Sequence, residues 1–222
     1  MKVSTDACLL GAVADATGAD HVLDIGTGTG LLALMLAQRY PKIALTALEI
    51  DLAAAAQAVA NVGRSPWAGR IRVHAQSLAA YAATGPDQFG HIVCNPPFFR
   101  AALPAPDAAR RRARHADATS LTFEELAQFA ANFLLPHGAL TVLLPPPEML
   151  AFEQTARAVG LHPQLRLLVR HRPARRVTRH IVRFEHAEKT AVETDELSIC
   201  TADDGDYSTT FRALMAGFYL AL

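Results

Sequence analysis

A glycine-rich turn between an apolar strand and a helix determines the first part of this chain. His21–Ile25 has the mainly apolar pattern of a buried strand, and Leu31–Arg39 consists of strong helix formers. The turn between them reads Gly26-Thr27-Gly28-Thr29-Gly30, and glycine allows positive φ angles and a close approach of the backbone to a ligand. Strand, turn and helix together predict the nucleotide-binding half of a doubly wound α/β sheet.

The spacing of the glycines distinguishes between ligands. A dinucleotide-binding fingerprint requires G-x-G-x-x-G, whereas the third glycine here comes one residue earlier and Leu31 stands in its place. Asp-x-Gly-x-Gly-x-Gly resembles the first motif of the class I methyltransferases that use S-adenosylmethionine. An aspartate and glycine amides can receive the ammonium and carboxylate of that cofactor, so we predict that it is bound by Asp24, Gly26, Thr27, Gly28 and Gly30.

The ends of the next two predicted strands supply further candidates for cofactor binding. Glu49 ends the second strand 19 positions after Gly30, which suits hydrogen bonds to ribose hydroxyls. We place Ile50 beside the adenine and expect Asp51 to cap the alanine-rich helix that follows; a solvated cap is the alternative interpretation of Glu49. After the third strand, such enzymes often carry an aspartate that holds the adenine amine. Ser77 stands there, and its hydroxyl accepts the same bond more weakly.

A second motif, Asn95-Pro96-Pro97-Phe98, follows the fourth predicted strand. The prolines hold φ at about −65°, so the turn is stiff and presents two fixed acceptors, the Asn95 side-chain oxygen and the Pro96 carbonyl. With Phe98 beside them, these acceptors suit a planar group that bears an NH₂. Taken alone, the motif favours a proline-rich strand exit, but the cofactor turn reverses that preference. We therefore predict a catalytic role for Asn95, Pro96, Pro97 and Phe98, with Asn95 also at the cofactor.

Length and composition indicate a globular α/β protein. The chain has 222 residues, of which 51% are hydrophobic and 19% charged, which suits one domain with its own core. We expect a single domain over 1–222, with an N-terminal helix within 4–17 (near Ala7–Ala16, capped by Thr5 or Asp6), a core over about 18–185 and a C-terminal extension over 186–222. The predicted fold is that of a class I methyltransferase, a Rossmann-like, mostly parallel, seven-stranded sheet with helices on both faces. Its strands are predicted near 21–25, 43–49, 70–74, 91–94, 139–144, 165–169 and 181–184. Helices are predicted at 121–135, from Pro145 to about 159 and at 207–222, with a strand-like segment at 197–200.

The cysteines and the hydropathy pattern bear on location. Cys8, Cys94 and Cys200 are far apart and lack metal-ligand spacing, which favours a reducing cytoplasm without a disulfide framework or a metal site. We find no charged-then-apolar leader and no apolar run of membrane length, so we expect a cytoplasmic protein that does not enter the membrane. Monomer and homodimer stay open.

Positive charge is concentrated in the second half of the chain, although the net charge is zero. Between Arg100 and Arg183 there are 13 arginines and six acidic residues. Arginine suits phosphate and base recognition, although a GC-rich genome would produce the same bias and each arginine could be an ordinary surface residue. We predict that RNA is bound by Arg100, Arg110, Arg111, Arg112, Arg114, Arg172, Arg175, Arg176 and Arg179.

With these motifs together, the chain resembles the bacterial tRNA1(Val) adenine-37 N6-methyltransferases over nearly its whole length. The resemblance rests on five segments: Met1–Asp6, Asp24–Gly30, Asn95–Phe99, Ala113–His115 with Leu121-Thr122, and Tyr207–Leu220. It implies S-adenosylmethionine as cofactor, an anticodon-loop adenine of a tRNA as substrate, and cofactor contacts from Thr5 and Asp6. Two features depart from the family. It usually carries a further segment before the Lys2-Val3 element, and it has a tyrosine where this chain has Phe98, which preserves stacking but removes a hydroxyl.

Three other functions stay open at this point. The NPPF motif also resembles that of ribosomal RNA guanine N2-methyltransferases. A turn of this kind can hold a side-chain amide as well, as in protein glutamine N5-methyltransferases, although the basic segments argue against a protein substrate. The last alternative is a non-catalytic RNA-binding module on a methyltransferase fold, which Ser77 keeps open.

Overall fold

The structure, a computed structural model, describes residues 4–96, 121–202 and 205–219. The strands are β1 His21–Ile25, β2 Ala44–Glu49, β3 Ile71–Ala75, β4 Phe89–Cys94, β5 Leu134–Leu144, β6 His162–Arg170, β7 Val177–Glu185 and β8 Glu193–Ser198. The α-helices are α1 Thr5–Val13, α2 Leu31–Arg39, α3 Leu52–Gly63, α4 Leu78–Ala82, α5 Phe123–Phe133, α6 Pro146–Ala158 and α7 Thr209–Met215.

All the strands listed above join in one mixed sheet with the order β3-β2-β1-β4-β5-β7-β6-β8. Strands β1 to β5 pair in parallel. Strand β7 runs antiparallel between β5 and β6, and β8 pairs in parallel with β6. The carboxyl ends of β1–β6 therefore lie at one edge of the sheet, which we call the carboxyl edge.

Helices cover both faces of the sheet and divide the core into two clusters. On one face, α1, α2 and α7 bury Leu9, Leu36 and Phe211. On the other, α5 and α6 bury Leu126 and Phe152. Burial of each such side chain contributes about 1.5–3 kcal/mol to stability. These layers confirm the predicted α/β fold with a mostly parallel sheet and helices on both faces.

The number of strands differs from the prediction, because the sheet has eight strands where seven were expected. The eighth, β8, begins at Glu193 and ends at Ser198, so the strand-like segment predicted at 197–200 overlaps only its last two residues. Its first four residues are exposed and polar, a composition of low strand propensity. Its pairing with Leu165–Arg170 of β6 holds it in place, and a local pattern does not report such a distant partner.

The helix ends also differ from the predictions where tertiary contacts decide them. Ser4, rather than Thr5 or Asp6, caps α1 by accepting a bond from Ala7 N. That helix stops at Val13, and Arg39 Nη1 then binds the Gly11 and Ala14 carbonyls at 2.8 Å each. These bonds satisfy acceptors that a longer helix would have used.

At the C-terminus, α7 is shorter than the predicted helix over 207–222. Ser208 caps it, while Tyr207 forms a bridge with Cys200 instead of entering the helix. Residues 220–222 lie outside the described residues.

The longest strands were predicted too short, and one helix was missed. Strand β5 starts at Leu134 and continues through Pro136, whereas a strand from 139 and a helix to 135 were expected. Strands β6 and β7 extend through arginines that interrupt the apolar runs near 165–169 and 181–184. Helix α4, which packs beside α5, was not predicted.

Candidate active site

A cavity of about 710 Å³ opens at the carboxyl edge, beside the ends of β1–β4. This volume is within the range of small-molecule sites. Its walls combine residues from the strand ends with residues from α3, α4 and α5. They are Ile25, Gly26, Gly28, Leu48, Glu49, Ile50, Asp51, Ala53, Ala54, Gln57, Gln76, Ser77, Leu78, Ala79, Asn95, Pro96, Leu121 and Glu125.

The glycine turn forms one wall and is anchored to the end of β2. Gly26 N and Thr27 N each donate to Leu48 O at 2.9 Å, and Gly28 N donates to Glu49 Oε2 at 2.8 Å. All three glycines have positive φ, at 72° for Gly26, 59° for Gly28 and 83° for Gly30. This region favours glycine, so the sequence of the turn follows from its shape.

The glycines have different roles within this wall. A Cβ built on Gly26 meets no described atom within 4 Å, so the backbone there is open to a ligand. A Cβ on Gly30 would lie 3.4 Å from Ala58 Cβ, so Gly30 allows α2 and α3 to approach each other. Gly30 and Thr27 do not line the cavity.

Asp24 lies beneath the turn rather than on the cavity wall, since only 1% of it is exposed. Thr27 Oγ1 donates to Asp24 Oδ2 at 2.5 Å, which joins the carboxylate to the turn. Burial raises the pKa of Asp24 to about 7, although the bond from Thr27 opposes the shift. Asp24 therefore supports the cofactor turn from below.

Glu49 connects the turn to the start of α3. Besides the bond from Gly28, its Oε1 accepts from Asp51 N at 2.9 Å. Each carboxylate oxygen can accept a second bond, and Glu49 lines the cavity, so it still has acceptors for hydroxyl groups. Ile50 is 40% exposed beside it and offers an apolar face. Asp51 caps α3 as predicted, accepting from Ala54 N at 2.7 Å.

Ser77 lies at the end of β3, on the cavity wall. Its hydroxyl caps α4 by accepting from Ala80 N at 3.1 Å. The oxygen retains one more lone pair and its proton, which can meet the edge of an adenine. The structure thus brings Ser77 into the same cavity as Glu49 and Asn95.

Asn95 and Pro96 follow β4 directly and close the cavity at its other side. Asn95 is partly exposed and Pro96 is buried. The predicted sites Pro97, Phe98, Arg100, Arg110, Arg111, Arg112 and Arg114 lie outside the described residues.

Six further predicted site residues do not line the cavity. Thr5 and Asp6 are at the start of α1 and do not line the cavity. Asp6 Oδ2 instead pairs with Arg179 Nε at 2.9 Å, which ties α1 to β7. The predicted RNA-binding residues Arg172, Arg175 and Arg176 lie between β6 and β7.

Apart from Asp51, which was predicted only as a helix cap, three polar side chains of the cavity were not predicted as site residues. Gln57 comes from α3 and Gln76 from the end of β3. Glu125 comes from the first turn of α5, where it forms a capping box with Thr122. Only the capping box has a signal in the sequence, a threonine followed three residues later by a glutamate. Gln57 reaches the cavity because α3 packs over the sheet, which a local pattern does not indicate.

The cavity has the chemistry that S-adenosylmethionine requires. Open backbone at Gly26 allows close approach, Glu49 supplies carboxylate acceptors, and Ile25, Ile50 and Leu78 supply apolar walls. A mostly apolar cavity with a few convergent polar groups is typical of sites for such ligands. The residues present therefore fit the cofactor that the glycine motif predicts.

Comparison with known proteins agrees with this geometry. Residues 4–145 match the family described as the methyltransferase small domain. A predicted O-methyltransferase from Agrobacterium tumefaciens has a similar fold, with a TM-score of 0.70 and 21% identity over 96% of each chain. Fold and cavity together define a class I methyltransferase that uses S-adenosylmethionine.

Two curated relatives identify the family within this class. The tRNA1(Val) (adenine(37)-N6)-methyltransferase of Serratia proteamaculans is 43% identical over 99% of this chain and 84% of its own length. The protein of the same name from Bacteroides fragilis is 40% identical over 100% of this chain and 92% of its own length. The chain belongs to the tRNA1(Val) (adenine(37)-N6)-methyltransferase family, which confirms the resemblance seen in the sequence.

Two kinds of feature are absent from the described part of the chain. No helix in that part of the chain is long and apolar enough to cross a membrane. Nor do the described histidine, cysteine and acidic side chains include a group of three or more that could hold a metal ion.

Proposed function

We propose that this protein transfers a methyl group from S-adenosylmethionine to the exocyclic N6 of an anticodon-loop adenine in a tRNA, adenine 37 of tRNA1(Val). The observation that carries the proposal is that Asn95 and Pro96 share one cavity with the glycine turn and Glu49. The acceptors for a base amine thus lie beside the groups that suit the cofactor. The names of the curated relatives support the choice of base and RNA.

Residues of the cavity would hold the cofactor at several points. Glu49 would accept bonds from the ribose hydroxyls, Ile50 would lie against the adenine, and Ser77 would meet the adenine amine. Gly26 and Gly28 would allow the turn to approach the methionine part. When bound, the cofactor supplies an electrophilic methyl group.

Asn95 and Pro96 would prepare the substrate amine. An exocyclic amine is a poor nucleophile because its lone pair is delocalised into the ring. Bonds from its two N–H groups to Asn95 Oδ1 and Pro96 O would favour a pyramidal nitrogen and aim its lone pair. Positioning of this kind can supply much of the rate enhancement of a displacement reaction. The released proton can leave for solvent after transfer, so a strong general base is not required.

The adenine must leave its stack to reach Asn95. Anticodon loops suit this because unpaired bases unstack at a small cost. We propose that Phe98 then stacks on the base, which is worth on the order of 1–3 kcal/mol.

Identification of the methylated product tests the proposal. Purified protein, labelled S-adenosylmethionine and total cellular RNA are incubated, and the RNA is digested to nucleosides for mass spectrometry. We expect the label in N6-methyladenosine from the tRNA fraction, at position 37 after mapping. Label in N2-methylguanosine would instead identify a guanine N2-methyltransferase. Cofactor binding without transfer to RNA or protein would identify a non-catalytic module.

The cellular location is part of the same proposal. Cys8, Cys94 and Cys200 are all buried and unpaired, which suits a reducing compartment. We propose the cytoplasm, where tRNA is available.

A further inference from the structure

The turn between β6 and β7 stands at the carboxyl edge, on the same side of the sheet as Asn95. Strand β6 ends there at Arg170 and β7 begins at Val177. The segment 171–176 connects them, and we call it the basic tip. In the strand order, β5 and β7 separate β4 from β6. Cys94 at the end of β4 is level with Val182 of β7, and the tip begins five residues further along that strand. At about 4.8 Å per strand and 3.3 Å per residue, the basic tip therefore lies roughly 20 Å from the end of β4.

A concave surface of about 380 Å³ is present at the basic tip. It is lined by His171, Arg172, Arg175, Arg176 and Thr178. Three arginines therefore line one depression, with a histidine and a threonine beside them. Each arginine side chain can donate two hydrogen bonds to a phosphate at once, whereas the Thr178 hydroxyl already donates to Val169 O at 3.2 Å.

Arginines at the basic tip differ from those in the adjoining strands. Each arginine within β6 and β7 has an acidic partner: Arg166 pairs with Glu153, Arg170 with Glu196, Arg179 with Asp6 and Arg183 with Glu185. Among the described residues, Arg172, Arg175 and Arg176 have no such partner. Within the segment from β6 to β7, the described arginines without an acidic partner are thus confined to the tip, where they can attract an anion.

The backbone of the tip is held in shape before any ligand binds. Arg170 Nη1 donates to Arg175 O at 2.8 Å, and Arg175 N donates to Arg172 O at 3.2 Å. Cys200 N donates to His171 O at 2.8 Å, so the segment after β8 braces the tip from outside. A preformed arrangement reduces the entropy lost when a ligand is bound.

We propose that the basic tip binds a backbone phosphate of the RNA whose adenine lies at Asn95. The identity of that RNA rests on the proposed function. The separation of roughly 20 Å corresponds to about six stacked nucleotides. A backbone phosphate suits the site better than a small free anion does, because Arg175 and Arg176 are exposed and the depression is open. The tip would fix the register of the RNA strand without reading its sequence.

Charge reversal at the tip tests the proposal. In R175E/R176E, we expect the Kd for the tRNA substrate to rise about 10- to 100-fold near physiological salt. The slope of log affinity against log salt should become shallower by about 0.7 to 1.4, because each lost phosphate contact on a single strand removes about 0.7. The Kd for the cofactor and kcat at saturating RNA should stay within about twofold of wild type, because neither residue lines the cofactor cavity.

Two variants serve as controls. R64E/R157E makes the same change in net charge at the far ends of α3 and α6, which lie at the opposite edge of the sheet, and we expect it to leave the salt slope unchanged. R175K/R176K keeps the charge and should retain most of the RNA affinity. An unchanged salt slope in R175E/R176E, with its fold intact by circular dichroism, would overturn the proposal.

Titration with inorganic phosphate separates a polymer site from a small-anion site. We expect no saturable binding of phosphate alone at millimolar concentrations. Saturable binding that R175E/R176E removes would place a free anion at the tip and overturn the RNA assignment. The product nucleoside is measured separately. A product other than N6-methyladenosine, together with a weakened salt slope, would reject the proposed base and leave the tip as an RNA phosphate site.

Discussion

Asn95 illustrates how a single side chain takes its role from the strand that precedes it. Strand β4 lies between β1 and β5 in the middle of the sheet, and its last four residues, His91–Cys94, are buried. The chain leaves the sheet at Asn95, which is the first partly exposed residue of this segment and lines the cavity. A rigid strand and a following proline therefore fix its position.

Replacement of Asn95 by alanine should remove one of the two acceptors for the base amine. We expect kcat in N95A to fall by at least about 100-fold, because misaligned reactants lose most of the benefit of positioning. The cofactor Kd should stay within about threefold, since the glycine turn and Glu49 remain. Single-turnover methylation and equilibrium dialysis measure the two quantities. N132A, which removes an exposed asparagine on α5, is the matched control. Substantial activity in N95A would contradict the acceptor mechanism.

Asp24 should make the stability of the cofactor-free protein depend on pH. Burial raises its pKa from 3.8 to about 7, so the folded protein retains a proton that the unfolded chain releases at lower pH. The cost of the buried charge therefore grows between about pH 4 and pH 7 and then levels off. From about pH 5 to pH 8, the free energy of unfolding of wild type should fall by roughly 2–3 kcal/mol relative to D24N.

Urea titrations of wild type and D24N at several pH values measure this difference. Asparagine retains an oxygen that can accept the bond from Thr27, so the comparison isolates the charge. Parallel stability curves for the two proteins would show that Asp24 does not titrate in this range.

The C-terminal end of helix α2 is held by hydrogen bonds from Arg70, a residue about 30 positions further along the chain. Arg70 donates to the carbonyls of Ala37, Tyr40 and Ile43 at 2.6, 3.0 and 2.9 Å. These bonds join the end of α2 to the start of β3. The same helix begins at the glycine turn, so the contact stabilises the element that supports the cofactor site.

Substitution of Arg70 by lysine should lower the free energy of unfolding by about 1–3 kcal/mol. Lysine cannot span three carbonyls with one planar group, and each lost hydrogen bond costs on the order of 1 kcal/mol. R64K is the matched control, because the exposed Arg64 follows α3 and no bond of its side chain joins two elements of the described chain. Chemical denaturation measures both variants, and equal stabilities for R70K and R64K would contradict the role of Arg70.

The sequence predicted those elements whose signals are local. The glycine turn, α2 and the Asp51 cap of α3 follow from neighbouring residues, and the structure has all three where they were expected. Strand β8 and the ends of β6 and β7 depend on strand partners distant in the chain, so apolar patterns placed them poorly. The end of α1 was missed for a similar reason, because Arg39 binds its last carbonyls.

For the site as a whole, strand ends were more predictable than helices. Glu49 ends one strand and Ser77 and Asn95 come just after two others, and parallel pairing brings all three to one edge. Gln57 and Glu125 reach the same cavity from helices, and their arrival depends on packing that no motif specifies. Asp6 and Arg179, predicted for different ligands, form an ion pair with each other.

Cofactor binding should stabilise the entire fold, because the cavity is assembled from strand ends and helices that separate on unfolding. S-adenosylhomocysteine, at about 100 times its Kd, should add roughly 2.7 kcal/mol to the free energy of unfolding. For a chain of this size, that corresponds to a rise in Tm of about 5–10 °C. Thermal denaturation with and without the ligand measures the shift.

Two glycine variants show whether that stabilisation arises at the glycine turn. Gly26 and Gly18 have similar φ angles of 72° and 79°, and a Cβ on either meets no described atom within 4 Å. G26A and G18A should therefore lose similar stability without ligand, about 1–2 kcal/mol from the left-handed backbone. Only Gly26 lines the cavity, so G26A should lose most of the ligand-induced rise in Tm while G18A retains it. A full rise in G26A would mean that the ligand does not approach this turn, and the assignment of the cofactor to the cavity would then fail.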